Sequence, residues 1–202
     1  DRIKKYIIGD YEMKKPELLA PAGSFEKAKV AFMYGADAVY CGTASLSLRS
    51  RAEVDDNDLE KTIKYAHSIG KKVYAALNIY AWDTNYEEIE KQVKMLDEVH
   101  VDAIIASDGG VIQKIREIAP NIEIHVSTQA NVVSYHAAKF WYDNGAKRVI
   151  LGRETSKDQI QEIMKNKPED LEVEMFIHGA LCWAYSGRCF LSEYLSCRSA
   201  NL

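Results

Sequence analysis

The chain has 202 residues, of which 47% are hydrophobic and 28% charged, an ordinary composition for a globular protein with one sizeable core. No apolar run reaches the roughly 18 residues of a membrane-spanning helix, and the N-terminus shows no secretory signal, so we expect a cytoplasmic protein. The net charge of −4 excludes binding to nucleic acid through bulk positive charge, so an RNA substrate would need a local basic patch.

Residues 1–12 precede the first methionine of the chain, Met13. Two interpretations stay open for them. They are either sequence upstream of a natural start at Met13 or a true N-terminal extension that covers the bottom of the fold. Residues 13–202 show no linker or low-complexity tract, so we expect them to form one barrel-like domain, truncated before the rest of the protein.

Short apolar runs alternate with amphipathic stretches along almost the whole chain. The predicted strands are 17–21, 38–41, 72–78, 103–106, 122–126, 148–151 and 172–177. The predicted helices are 25–34, 59–69, 86–99, 111–118, 134–144 and 157–165. The predicted helix starts are Asp58, Thr84 and Ser156, and the predicted helix stops are Gly35, Gly70 and Gly145.

Three segments repeat one pattern, in which a helix ends, the chain turns and a short buried strand stops at a small residue: 35–42, 101–107 and 145–152. Repeated βα units build either a doubly wound open sheet or a (βα)8 barrel. No glycine-rich phosphate loop appears. Small and polar residues follow most strands instead, as they do at the catalytic face of a barrel, so the sequence favours a TIM-barrel-like fold over an open sheet.

The predicted strands number about seven, one short of a closed barrel. An incomplete barrel should expose apolar surface at its open edge. We expect either the segment 6–8 or a second copy of the chain, in a homodimer, to cover that edge.

The most informative segment is 174–192, which carries two of the four cysteines. It reads Glu174-x-Phe176-x-x-Gly179-Ala180-Leu181-Cys182, then four residues, then Gly187-x-Cys189-x-Leu191-Ser192. This pattern resembles the signature of the peptidase U32 family at every defined position. Residues 13–23 and 34–40 also resemble that family, so the similarity spans about 13–202.

The resemblance implies a barrel-like N-terminal region. Better understood members bind a 4Fe-4S cluster through four cysteines and act in oxygen-independent hydroxylation of transfer RNA, ribosomal RNA or a quinone precursor, several with prephenate as oxygen source. The family name reflects an assignment as collagenase-like proteases. Cys182 and Cys189 match the first two ligands, whereas the next two should follow 198–201 and Cys197 matches neither. We therefore expect a fragment of a longer protein, or a chain that has lost the cluster.

Cys182 and Cys189 are the predicted metal ligands, because thiolates seven residues apart can converge on one iron centre. The alternative is that both are small buried hydrophobic residues. Cys41 lies within an apolar strand and is predicted to belong to the core.

His178 and Glu154 are the predicted catalytic residues, His178 as a general acid or base beside the cysteines. Arg153 and Arg49 are predicted to bind substrate, by holding a carboxylate such as that of prephenate or an RNA phosphate. A salt bridge at the barrel rim is the alternative for Arg153 and Glu154. Two further predicted substrate-binding residues are Asn78, at the end of the third predicted strand, and Gln129, which follows the fifth.

The leading hypothesis is the barrel part of an iron–sulfur enzyme that hydroxylates RNA. The second is a peptidase acting on peptides, for which Ser24, Ser127 or Ser192 would have to pair with His125 or His178. No GxSxG or HExxH motif supports it. The third is a non-catalytic binding or assembly protein.

Overall fold

The computed structural model describes residues 15–43, 53–179 and 186. Its strands are β1 Leu19–Pro21, β2 Ala38–Thr43, β3 Glu53–Val54, β4 Lys72–Ala76, β5 Ala103–Ala106, β6 Glu123–Val126, β7 Arg148–Ile150 and β8 Glu172–Glu174. The sheet is parallel throughout, in the order β1-β2-β4-β5-β6-β7-β8, and the short β3 pairs only with β2. The order follows the chain without reversing, as in a barrel and unlike a doubly wound sheet. The TIM-barrel-like prediction, with seven main strands in a curled half-barrel, is confirmed.

Helices connect the strands in a repeated βα pattern. They are α1 Phe25–Met33, α2 Asp56–Ser68, α3 Tyr86–Glu98, α4 Gly109–Ile118, α5 Tyr135–Asp143 and α6 Lys157–Asn166. Among the described residues, none of the helices has the length and apolar character that crossing a membrane requires.

The ends of these helices follow local capping chemistry. Ser156 caps α6 as predicted, and the backbone N–H of Ser156 donates to Gln159 Oε1 at 2.8 Å. The three predicted stop glycines adopt positive φ angles, 100° at Gly35, 68° at Gly70 and 88° at Gly145, which only glycine tolerates easily.

Two predicted helix starts are wrong. The cap of α2 is Asp55 rather than Asp58, because the Asp55 carboxylate accepts the Asp58 backbone N–H at 2.7 Å. Thr84 lies inside the 3₁₀ turn Asp83–Asn85, which precedes α3. Each of these stretches holds several residues able to cap a helix, so local preference alone does not select among them.

The central strands β2, β4, β5, β6 and β7 are buried on both faces. Alternate residues, such as Val39 and Val73, belong to the core between sheet and helices, whereas Tyr74, Ala76 and Ile105 pack inside the curl of the sheet. This double burial explains why the strands read as continuous apolar runs instead of alternating ones.

The sheet is open between its first and last strands, since the described pairings do not join β1 to β8. Apolar side chains are exposed there: Met175, Phe176 and Ile177 follow β8 and are 49%, 46% and 80% exposed, and Leu18 before β1 is 41% exposed. The expected apolar surface at the open edge is therefore present. The segment 6–8 lies outside the described residues, and the homodimer across this edge stays a prediction.

Candidate functional site

A cavity of about 120 Å³ opens at the carboxyl ends of the strands. Its lining combines aliphatic residues from the sheet, including Leu19, Ile105 and Ile150, with the aromatic side chains of Tyr40 and Phe176. This is the end of a barrel where catalytic and binding groups gather, because the strand-to-helix loops meet there.

Neutral polar groups form one side of this cavity. Asn78 Nδ2 lies 3.5 Å from Ser127 Oγ, and Ser127 Oγ donates to Gln129 Oε1 at 3.0 Å. Ser127 is buried, and its hydroxyl also accepts the backbone N–H of Gln129 at 3.4 Å. The structure thus brings the predicted substrate-binding residues Asn78 and Gln129 together through a hydroxyl that sequence reasoning did not assign to this role.

Glu174 is the only charged side chain among the described residues that line the cavity. Burial raises the pKa of Glu174 by more than the nearby Arg148 lowers it. No lysine or arginine stands among those described lining residues, so the cavity suits a neutral ligand better than an anion.

Below the cavity, Arg148 binds three carboxylates inside the curl of the sheet. Its Nη1 donates to Glu17 at 2.8 Å and to Glu174 at 3.1 Å, and its Nη2 donates to Glu172 at 2.6 Å. The Tyr74 hydroxyl donates to Glu17 at 2.9 Å. Burial acts to raise the pKa of Glu17, but Arg148 and Tyr74 outweigh it, so this pKa lies below its usual value.

This network of Arg148 and three carboxylates was not predicted from the sequence. The available signal was the charge of Arg148, Glu172 and Glu174 within otherwise apolar strands, at alternate positions that share one face of the sheet. Charged residues at such positions are rare without partners.

His125 lies beside the network and has no hydrogen bond from either ring nitrogen among the described residues. Its Nε2 is 3.6 Å from Glu123 Oε2, beyond hydrogen-bonding distance, and its ring packs edge-on against Tyr74 with centroids 4.6 Å apart. Because His125 is fully buried and unbonded to any described serine, the described geometry does not provide the Ser–His pair that the peptidase hypothesis requires with His125.

We expect His125 to make the fold sensitive to mild acid. Burial lowers the pKa of His125, so the unfolded chain binds a proton below about pH 6.5 that the folded chain excludes. The free energy of unfolding therefore falls as pH drops from 7.5 to 5.5, with a slope of up to about 1.4 kcal/mol per pH unit.

Urea unfolding between pH 7.5 and pH 5.5 should show a flatter dependence of this free energy on pH for His125→Phe than for wild type. The matched control is His136→Phe, which alters an exposed histidine and should keep the wild-type slope; equal slopes in all three proteins would contradict the assignment.

The predicted residues Arg153 and Glu154 both contact Ser186. The backbone N–H and the Nε–H of Arg153 each donate to Ser186 Oγ at 3.3 Å, and the Glu154 carboxylate accepts the backbone N–H of Ser186. Burial acts to raise the pKa of Glu154, but the hydrogen bonds from Ser186 outweigh it and lower this pKa overall.

Of the remaining predicted site residues, His178 is one that the structure describes. His178 is exposed just beyond β8, and its ring makes no hydrogen bond to Glu154. Arg49, Cys182 and Cys189 lie outside the described residues, so their roles stay predictions. In the described part of the chain, no three metal-ligating side chains cluster. Cys41 is buried as predicted, and burial raises the pKa of its thiol to about 12.

Comparison with known proteins gives a matching family profile and several similar sequences. The profile of peptidase family U32 matches residues 23–202. The chain is 45% identical to tRNA hydroxylation protein P1 of Bacillus subtilis (strain 168), covering 100% of this chain and 48% of that protein. It is 48% identical to tRNA hydroxylation protein P of Haemophilus influenzae (strain ATCC 51907 / DSM 11121 / KW20 / Rd), covering 93% of this chain and 41% of that protein.

The fold also matches a solved structure, the U32 peptidase Mk0906, with a TM-score of 0.64 and 12% identity, over 83% of this chain and 72% of that one. The chain spans less than half the length of the two tRNA hydroxylation proteins.

Proposed function

The chain belongs to peptidase family U32, and from this premise we propose that it is the barrel part of an iron–sulfur enzyme that hydroxylates RNA without molecular oxygen. The similarity to two tRNA hydroxylation proteins supports this proposal. The proposal depends most on the cavity at the carboxyl ends of the strands, whose described lining is largely apolar, partly aromatic and free of lysine and arginine.

The cavity has the size of one RNA base. A water molecule needs roughly 10–15 Å³ of such space, so 120 Å³ corresponds to about ten heavy atoms. An enzyme that modifies a base takes it out of the stack into a pocket and reads its edge through hydrogen bonds. We propose that Tyr40 and Phe176 contact the faces of the base and that Asn78 and Gln129 bind its polar edge.

The oxygen donor belongs outside this cavity. A donor such as prephenate carries carboxylates, and the described lining of the cavity offers them no lysine or arginine but one carboxyl group, that of Glu174. Arg153 stands beyond the end of β7 and offers a guanidinium to such an anion, and Arg49 is a second proposed contact. His178 is the proposed general acid or base, since it follows Phe176, which lines the cavity, by two residues in the chain.

Cys182 and Cys189 are the proposed iron ligands of this chain, and the rest of the full-length protein would supply two more. The donor chemistry fits, because four thiolates hold a 4Fe-4S cluster and because Ser186, between these cysteines, is buried against Arg153 at the active face. When bound, such a cluster supplies one-electron redox chemistry. We also propose the cytoplasm as the compartment, where RNA substrates are accessible.

The full-length protein, purified without oxygen and incubated with transfer RNA and prephenate, should yield a hydroxylated nucleoside by mass spectrometry. Phe176→Ala should raise KM for RNA about 5- to 150-fold, because stacking of a base on an aromatic ring contributes about 1–3 kcal/mol. The matched control is Met175→Ala, which removes a neighbouring side chain that is equally exposed but does not line the cavity. Peptide cleavage without RNA hydroxylation would favour the peptidase alternative, and neither activity would favour a binding or assembly role.

A further inference from the structure

Ser186 connects the cysteine-bearing segment to the barrel. It lies between Cys182 and Cys189 in the sequence and is 1% exposed. Its hydroxyl accepts two hydrogen bonds from Arg153, and its backbone N–H donates to Glu154. Two consecutive residues at the end of β7 therefore hold both the side chain and the backbone of one buried serine.

The turn that carries Arg153 and Glu154 is itself well supported. Thr155 closes it through its backbone N–H and its hydroxyl, which donate to the Gly152 carbonyl at 3.1 Å and 2.6 Å. The N–H of Gly152 donates to the Val132 carbonyl at 2.9 Å, and Ser156 begins α6 immediately afterwards. The two residues that bind Ser186 thus stand on backbone anchored at both ends.

Gly152 leaves the space that the Glu154 carboxylate uses. A Cβ at position 152 would lie 2.8 Å from Glu154 Oε2 and 2.9 Å from Val133 Cγ1, closer than side chains pack. The carboxylate of Glu154, an exposed residue, therefore lies against Gly152, where a larger residue would displace it. This orientation directs its other oxygen, Oε1, to the N–H of Ser186.

We propose that Glu154 and Arg153 are positioning residues, which hold Ser186 at the end of β7 and thereby set where the thiols of Cys182 and Cys189 stand. Holding Ser186 limits where the two cysteines can lie, since the three to four residues that separate Ser186 from each cysteine span at most about 14 Å. The inference rests on the proposed function for the role of the thiols as cluster ligands, whereas the contact itself does not. It replaces the catalytic role predicted for Glu154, because that carboxylate is bound to the protein backbone.

Hydrogen exchange in the full-length protein tests the contact without reference to iron. The amide of Ser186 should exchange about 10- to 100-fold faster in Glu154→Ala than in wild type, the range expected for losing a hydrogen bond to a charged group. Glu154→Gln keeps an acceptor oxygen and should restore most of the protection. Glu98→Ala, which truncates an exposed glutamate at the end of α3, is the matched control and should leave this amide unchanged.

Iron release to a chelator tests the consequence for the thiols. Glu154→Ala should lose iron about tenfold faster than wild type, with the Gln variant close to wild type. If Glu154→Ala does not fold, Ser186→Ala removes only the hydroxyl bound by Arg153 and should still speed both exchange and iron release. Unchanged exchange at Ser186, or faster exchange with unchanged iron release, would overturn the proposal. A wild-type protein without iron would refute the proposed cluster. The contact between Glu154 and Ser186 would still be tested by the exchange comparison.

Discussion

Replacing Cys182 or Cys189 with alanine in the full-length protein is expected to abolish the iron–sulfur cluster that we propose for it. A cluster held by four thiolates tolerates the loss of one poorly, so iron should fall from about four atoms per chain to near zero. The brown colour and the charge-transfer absorbance of the oxygen-free preparation should disappear together. Iron analysis and the visible spectrum measure both effects, and RNA hydroxylation should be lost in parallel.

The other two cysteines of this chain serve as controls. Cys41→Ala should keep its iron, because the Cys41 thiol is 1% exposed and burial raises its pKa to about 12, so it is not a thiolate at neutral pH. Cys197→Ala should also keep its iron, because Cys197 departs from the ligand positions that the family resemblance implies. A full-length wild-type protein that holds no iron and cleaves peptides would instead favour the peptidase hypothesis.

Replacing Arg148 with methionine is expected to cost about 3 kcal/mol of unfolding free energy. The Arg148 side chain is 7% exposed and compensates Glu17 and Glu174, which are 27% and 19% exposed. Removing one partner of a buried ionic network leaves its counter-charges unpaired, which costs about 3–5 kcal/mol. We place the loss at the low end because Glu172 is 45% exposed and can be solvated. Urea unfolding at pH 7 measures the change.

Two variants separate the loss of charge pairing from a simple packing defect. Adding Glu17→Gln and Glu174→Gln to Arg148→Met should recover most of the loss, since neutral groups no longer need the guanidinium. Arg116→Met is the matched control, because Arg116 makes an exposed hydrogen bond of 3.2 Å to the Asn144 carbonyl and should change stability by less than about 1 kcal/mol. A loss below about 1 kcal/mol in Arg148→Met would show that the network contributes little to stability.

Most of the architecture of this chain could be predicted from its sequence. Buried strands and amphipathic helices recur with their own periods, so the seven main strands and the barrel-like class could be predicted from residues close together in the chain, whereas the short β3 was not predicted. The same holds for Gly35, Gly70, Gly145 and the cap at Ser156, because a positive φ angle and a capping bond are local requirements. The signature at 174–192 indicated the family because its defined positions are numerous and closely spaced.

The contacts between side chains far apart in the chain depend on the tertiary structure and could not be predicted. Arg148 and Glu17 are 131 positions apart, and they become neighbours because the sheet curls and places β7 opposite the start of β1. For the same reason, the bonds from Arg153 and Glu154 to Ser186, across 33 and 32 positions, could not be inferred from spacing. The cavity at the carboxyl ends of the strands likewise follows from the inward side chains of several separate strands. Local periodicity records which face of a strand is buried, whereas the curvature of the whole sheet selects the partners on that face.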